Sequence, residues 1–195
     1  MDHGAYIVAQ EIRYCYSVST QLANELVTGL KAQGAEVTTR ETYSDPLITM
    51  VNADTVSGYF TMPDDRTPAQ NEAVRNSDQL AVELAGTDVL VLAVPMYNFT
   101  ISAGMKTYFD LVARVGITFK YEATGPVGLL ENKKAYVLVA TGGTPADSPA
   151  DFASDYIKFF LAFLGIKDVS FVYADALGLR TRGLTECLNC RLVRC

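Results

Sequence analysis

The run DVLVLAV, from Asp88 to Val94, has no polar side chain after its first residue, and this feature most constrains what the chain folds into. A strand with one face in water alternates apolar and polar residues. An unbroken apolar run belongs to a strand covered on both faces, as in the interior of a parallel sheet. KAYVLVAT (Lys134 to Thr141), AYIVA (Ala5 to Ala9) and VSFVYA (Val169 to Ala174) repeat the signal, and AEVTTRE (Ala35 to Glu41) alternates as an edge-like strand does. Helical patterns lie between them. Ser19 to Ala32 carries Leu22, Leu26, Val27 and Leu30 on one stripe, with Gly34 as the stop. A helix to about Ala85 begins with Thr67 as N-cap and Pro68 in the first helical position. Further helices are predicted over Ser102 to Val115 and over Pro149 to Leu164, the latter bearing Phe152, Tyr156, Phe159, Phe160 and Phe163. Asp45-Pro46 marks a turn, the segment from Leu47 to Met62 fits either a short helix or a loop, and Phe119 to Glu131 reads as a glycine-containing loop. Five strands alternating with helices predict one α/β domain over residues 1–195, built on a parallel sheet.

Composition narrows the function. The 195 residues are 49% hydrophobic and 19% charged, enough for a sizeable core and too apolar for a disordered chain. A net charge of -6 with no basic stripe argues against nucleic acid as a partner. No apolar run approaches the roughly 18 residues of a membrane helix, and MDHGAYIVAQ does not read as a signal peptide. The expected compartment is the cytoplasm. Cys187-x-x-Cys190 is half of a zinc knuckle without a second half, or the spacing of a redox pair; with Cys15 and Cys195 it is expected to do no chemistry, and no metal site is expected. The single histidine is His3. Catalysis by a histidine base is therefore not expected, and an enzyme built on this chain would draw its chemistry from a cofactor. Residues 180–195 hold four arginines and three of the four cysteines without an amphipathic period, where a last helix covering the sheet is expected. This tail reads as a poorly ordered end or as an altered terminus.

Ligands of open parallel sheets bind beyond the carboxyl ends of the strands, where the strand order reverses. The loop after the first strand, QEIRYCYSVSTQ, brings Ser17, Ser19 and Thr20 to a helix start, which suits either a phosphate or simple N-capping. The loop after the third strand, PMYNFTIS, sets Met96, Tyr97 and Phe99 around Asn98 without a charge, although loops are normally polar. TGGTPADSP, after the fourth strand, offers backbone at Gly142-Gly143, or an ordinary glycine turn. Together the three loops describe one ligand with an anionic end, a flat polar edge and a flat apolar face. A flavin mononucleotide (FMN) has all three.

The motifs PMYNF-x-I-S (Pro95 to Ser102), K-x-Y-F-D (Lys106 to Asp110), VAR-x-G-x-TF-x-Y (Val112 to Tyr121), GP-x-GL (Gly125 to Leu129) and Gly142-Gly143 resemble those of the FMN-dependent NADH-azoreductases, relatives of the NAD(P)H quinone reductases. The resemblance spans about residues 17 to 175. It implies a flavodoxin-like three-layer α/β/α sandwich with a five-stranded parallel sheet in the order 2-1-3-4-5, and a homodimer. By position, it implies that Ser17, Val18 and Ser19 hold the FMN phosphate and that Met96, Tyr97, Asn98 and Phe99 wrap the isoalloxazine. Thr141, Gly142, Gly143 and Thr144 would line the pyrimidine side of the ring. Phe60, Phe119 and Phe163 would border a substrate pocket shared with the second subunit. The implied reaction is ping-pong hydride transfer from NADH or NADPH to the flavin and on to a quinone or azo compound, with no protein nucleophile.

The chain departs from the resemblance after the first strand, where small residues give way to Gln10-Glu11-Ile12-Arg13-Tyr14-Cys15. Glu11 stands where a serine usually meets the phosphate. A carboxylate about 5 Å from a phosphate charge is unfavourable by roughly 3 kcal/mol at an effective dielectric near 20, so weaker FMN binding than in relatives is expected. Two other classes remain open to the sequence: a flavodoxin-type electron carrier without NADH activity, and a flavin-free scaffold. The aromatic segments Val115 to Tyr121 and Phe159 to Phe163 favour the enzyme.

Overall fold

A computed structural model describes residues 4–9, 17–146 and 148–175. The strands β1 (Gly4–Ala9), β2 (Glu36–Glu41), β3 (Val89–Pro95), β6 (Lys134–Ala140) and β7 (Asp168–Ala174) form one sheet in the order β2-β1-β3-β6-β7. Every pairing in it is parallel. The apolar run after Asp88 forms β3, between β1 and β6, and Leu90, Val91, Leu92, Ala93 and Val94 are at most 1% exposed. Among the described residues β2 pairs with β1 alone, and its residues are exposed or half-buried, which is why its sequence tolerates Glu, Thr and Arg.

The alternation of side chains along β3 separates two layers. Leu90, Leu92 and Val94 join α3 (Pro68–Ala85), α4 (Ala103–Val112) and α5 (Phe152–Leu164) in a core containing Leu80, Leu84, Met105, Phe109, Ile157 and Leu161. Val91 and Ala93 face the other way, against Ala23 and Val27 of α1 (Val18–Ala32) and Leu138 of β6. Complete burial of a leucine such as Leu80 stabilises by about 2–3 kcal/mol. The Leu47–Met62 segment forms α2 (Ala53–Phe60), started by Asn52 and Thr55 in a reciprocal capping box. Thr67 caps α3 as its sequence predicts, and Gly34 takes a φ of 90° just beyond α1, the left-handed stop a glycine allows.

Three local expectations are corrected. The Phe119–Glu131 segment is not simply a loop: it holds an antiparallel hairpin, β4 (Phe119–Glu122) and β5 (Gly125–Gly128). It is fastened to the end of α5, where Gly165 adopts φ 99° and the Leu130 amide donates to the Leu164 carbonyl at 2.9 Å. A Cβ on Gly128 would run into the backbone of Leu164 and Gly165, so only glycine permits this approach. α4 ends at Val112 rather than Val115, because the Thr118 hydroxyl donates to the Val112 carbonyl at 2.7 Å and accepts from the Arg114 amide at 2.9 Å. α5 starts at Phe152 rather than Pro149. Buried Asp151 accepts from the Ser154 amide at 2.9 Å and its hydroxyl at 2.7 Å, and the Tyr173 hydroxyl donates to Ser154 in turn. That satisfied buried cap outweighs the proline signal.

Candidate cofactor and substrate site

The strand order reverses between β1 and β3, since β1 leads outward to β2 while β3 leads to β6 and β7. In register, Ala9 lies opposite Ala93, and Pro95 lies opposite Ala140. The carboxyl ends of β1, β3 and β6 thus lie side by side at one edge of the sheet. Met96 to Phe99 follow β3 and Thr141 to Thr144 follow β6, its neighbour in the sheet, while Ser17 precedes α1.

Ser17 holds the N-cap position of α1, yet its side chain makes no capping bond to a helix amide. Its hydroxyl lies 2.9 Å from Thr20 Oγ1 and 3.4 Å from Ser19 Oγ. Ser17 and Val18 are half-buried, while Ser19 is fully buried. Simple N-capping by the Ser17 side chain is therefore not what this serine does. Among the described residues no acidic side chain stands in the first turn of α1, where the positive end of the helix dipole lies. Glu11, Arg13 and Cys15, like His3, Cys187, Cys190, Cys195 and the 180–195 tail, lie outside the described residues.

The loop after β3 contains the sharpest backbone feature. The Met96 amide donates to the Ala140 carbonyl at 2.8 Å, extending the sheet by one bond. Tyr97 and Thr100 then exchange two backbone bonds, at 2.9 and 3.2 Å, around a two-residue turn. Both central residues are left-handed: Asn98 at φ 47° and Phe99 at φ 72°. Such a turn favours Asn followed by Gly, so Asn98 suits its place and Phe99 does not. A left-handed non-glycine residue costs about 1–2 kcal/mol. The Phe152 amide holds the strained residue by donating to the Phe99 carbonyl at 3.1 Å. Tyr97 and Phe99 emerge 42% and 54% exposed, whereas Ile101 and Ser102 immediately return to the interior. Strain that presents an aromatic ring to the outside is a mark of a binding site.

The loop after β6 meets this turn. The Thr141 amide donates to the Ala174 carbonyl at 3.0 Å and its hydroxyl to the Thr144 carbonyl, so the loop folds back on itself with Thr141 buried. Gly142 and Gly143 are exposed; a Cβ on either would meet no described atom within 4 Å, and neither has a left-handed φ. Nothing in the described chain requires glycine at either position, and both leave the backbone open to an approaching molecule.

Phe119 and Phe163 stand together, with ring centroids 4.5 Å apart, and Tyr121 meets Phe119 edge-on at 5.5 Å. Phe163 continues into the core through Phe160, which stacks on Phe109 at 4.3 Å. Phe60, at the end of α2, is not brought to this pair within the chain and projects 86% exposed. Sequence reading missed Phe152 and Tyr121. The alternation Phe119-Lys120-Tyr121 signalled Tyr121, but Phe152 had no local signal, because its link to Phe99 is a backbone bond across 53 residues. No group of three His, Cys, Asp or Glu among the described residues could hold a metal ion.

A doubly wound parallel sheet whose strand order reverses between β1 and β3 defines a flavodoxin-like α/β protein. In agreement, the sequence matches the family described as flavodoxin-like fold over residues 5–185. It is 47% identical over 163 residues to FMN-dependent NADH:quinone oxidoreductase 1 of Hahella chejuensis, covering 83% of this chain and 79% of that one. It is 44% identical over 172 residues to the FMN-dependent NADH:quinone oxidoreductase of Burkholderia pseudomallei, covering 87% of this chain and 86% of that one. Among solved structures, an azoreductase from Bacillus anthracis superposes with a TM-score of 0.85 at 27% identity, over 95% of this chain and 93% of that chain. The chain belongs to the flavodoxin-like family that includes these oxidoreductases.

Proposed function

We propose that this chain is an FMN-dependent NAD(P)H oxidoreductase that reduces quinones and azo compounds. The observation that carries the reading is the strained Asn98–Phe99 turn, which presents two aromatic rings at the switch point beside glycines whose missing side chains face open space. Bound FMN would supply the chemistry, accepting a hydride from NADH or NADPH and passing two electrons to the acceptor, so that NAD(P)H, a proton and a quinone become NAD(P)+ and a hydroquinone.

The residues of the chain do the rest. Ser17, Val18 and Ser19 hold the phosphate at the start of α1, where the uncapped serine and the helix dipole favour an anion. Met96, Tyr97 and Phe99 form an apolar bed for the isoalloxazine, and Asn98 reads its polar edge. Thr141 to Thr144 bring backbone amides to the pyrimidine side, where negative charge accumulates on reduction. Phe119, Phe163 and Phe60 border the acceptor pocket, exclude water and orient a flat substrate.

The same reading takes residues 1–195 as one domain with the sheet order 2-1-3-4-5, the β4–β5 hairpin being an insertion; the parallel pairings support it. It makes the protein a homodimer, whose partner subunit would cover large apolar side chains that stand exposed here, among them Met50, Phe60, Phe152 and Phe159. It also makes the enzyme cytoplasmic; no helix of the described residues is long and apolar enough to cross a membrane. The test is a visible spectrum of apoprotein titrated with FMN, followed by NADH-to-quinone turnover with and without added FMN. A flavin spectrum perturbed in proportion to the protein, with turnover that requires FMN, is expected. Protein that leaves the spectrum of added FMN unchanged would sink the proposal, and bound FMN without NADH oxidation would reduce it to an electron carrier.

A further inference from the structure

The last turn of α2 is gripped from three sides. Arg66 lies just past it, and its Nε donates to the carbonyls of Gly58 at 2.9 Å and Thr61 at 3.2 Å, which bracket Tyr59 and Phe60. Its Nη1 is 3.7 Å from Asp78 Oδ2 on α3. The other oxygen of Asp78 is ion-paired with Nη2 of Arg114, which follows α4 and is 5% exposed. The Arg114 guanidinium lies 4.1 Å from the centroid of the Tyr59 ring. The Tyr59 hydroxyl donates to Ser77 at 2.9 Å, and Ser77 donates to the Leu111 carbonyl. On the third side, a Cβ on Gly58 would come within 2.6 Å of Val74 Cγ1. From this frame Phe60 projects 86% exposed.

An eight-residue helix is marginal in isolation, and packing against α3 would suffice to hold an ordinary surface helix. A buried guanidinium carries a desolvation cost, and an ion pair is a poor way to add stability; its known use is to specify geometry. Among the described residues, neither arginine side chain pairs with any residue of the three loops assigned to FMN. What the two arginines hold in common is the backbone and the neighbour of Phe60.

We infer that Arg66 and Arg114, bridged by Asp78, are positioning residues for acceptor specificity: they fix the last turn of α2 so that the Phe60 ring is held at the acceptor pocket. The inference rests on the quinone-reductase reading, in which Phe60 contacts the acceptor in the dimer. Its effect is confined to the acceptor step, because the grip does not reach the flavin loops.

The test uses FMN-loaded Arg66→Met and Tyr59→Leu, each alone and combined with Phe60→Ala. Stopped-flow kinetics separate flavin reduction by NADH from reoxidation by a one-ring and a two-ring quinone. The expected result is a KM for the two-ring quinone raised about tenfold, with kcat and the NADH-dependent rate within about twofold of wild type. Phe60→Ala should raise KM similarly, and should add less than about twofold in either background, since both changes act through one ring. Arg66→Lys, which keeps a cationic donor at the two carbonyls, should recover most of the KM. Additive effects, an equal loss of kcat for both quinones, or an unchanged KM in a folded variant overturn the inference. If Arg66→Met does not fold, Tyr59→Leu carries the same comparison. Wild-type turnover that is indifferent to Phe60→Ala overturns this inference alone, whereas wild-type protein that binds no FMN overturns the quinone-reductase reading and the inference with it.

Discussion

Phe99 and Gly142 separate what the protein needs for itself from what it needs for a ligand. Phe99 sits at φ 72°, where glycine is at ease and phenylalanine is not. Phe99→Gly is therefore expected to raise the stability of the apoprotein by about 1 kcal/mol, read as a higher melting temperature without FMN, while lowering kcat/KM because the ring is lost. A variant that loses both stability and activity would show that the ring is there for packing. Gly142 makes the complementary case. With no described atom near its Cβ position, Gly142→Ala should leave apoprotein stability within about 0.5 kcal/mol. It should weaken FMN binding by about 1–3 kcal/mol, since a methyl group intrudes where the ligand packs. FMN titration beside a denaturant melt distinguishes these terms. The type of Phe99, and its place in an uncharged loop after a strand, were readable in the sequence. Its strain was not, because φ depends on the bonds between Tyr97 and Thr100 and on the amide of Phe152.

At the scale of elements, the hairpin was the main surprise. Its four-residue strands carry too little alternation to stand out, and glycines at 125 and 128 read as loop punctuation. A short hairpin is marginal by itself. It forms here because Gly128 lies against Gly165 and Leu130 bonds to Leu164, which sets Phe119 on Phe163. Gly128→Ala should thus destabilise the protein by about 3 kcal/mol, because backbone rather than a flexible side chain must move. In whatever folds, the quinone KM should rise more than the KM for NADH. Unchanged stability by denaturant melt would contradict the close approach. Helix starts rest on local bonds: Thr67 caps α3 through Gln70, and Asp151 caps α5 through Ser154, where Pro149 gives a competing signal.

For the whole molecule, the aromatic seam joining α4 to α5 carries a pH signature. Tyr156 packs near Phe109 and Phe160, and burial, reinforced by the charge of Asp110, pushes its hydroxyl up to about 12. The ordinary tyrosine value is about 10. The folded state therefore keeps a proton that the unfolded chain releases, and the contribution is complete below about pH 10 and lost as pH rises toward 12. Tyr156→Phe should flatten the fall in stability between those values without altering it at pH 7. Equal slopes for wild type and variant in denaturant melts across that range would refute the assignment. Lys133 is held down from its usual range by burial, while its ammonium donates to the carbonyls of Ala85 and Thr87 at the end of α3, a cation at the negative end of a helix.

The sequence by itself determined the α/β alternation and the buried inner strands, and it marked the three loops proposed to face the ligand. All of these rest on the period and polarity of neighbouring residues, which local chemistry dictates. Tertiary structure alone decided the Phe152 bond that holds left-handed Phe99, the hairpin pinned through two glycines, and the grip of Arg66 and Arg114 on the turn bearing Phe60. Each of these depends on a hydrogen bond, an ion pair or a backbone contact made only after distant segments meet. No run of neighbouring residues encodes such a meeting, because its energy exists only when the chain has closed on itself.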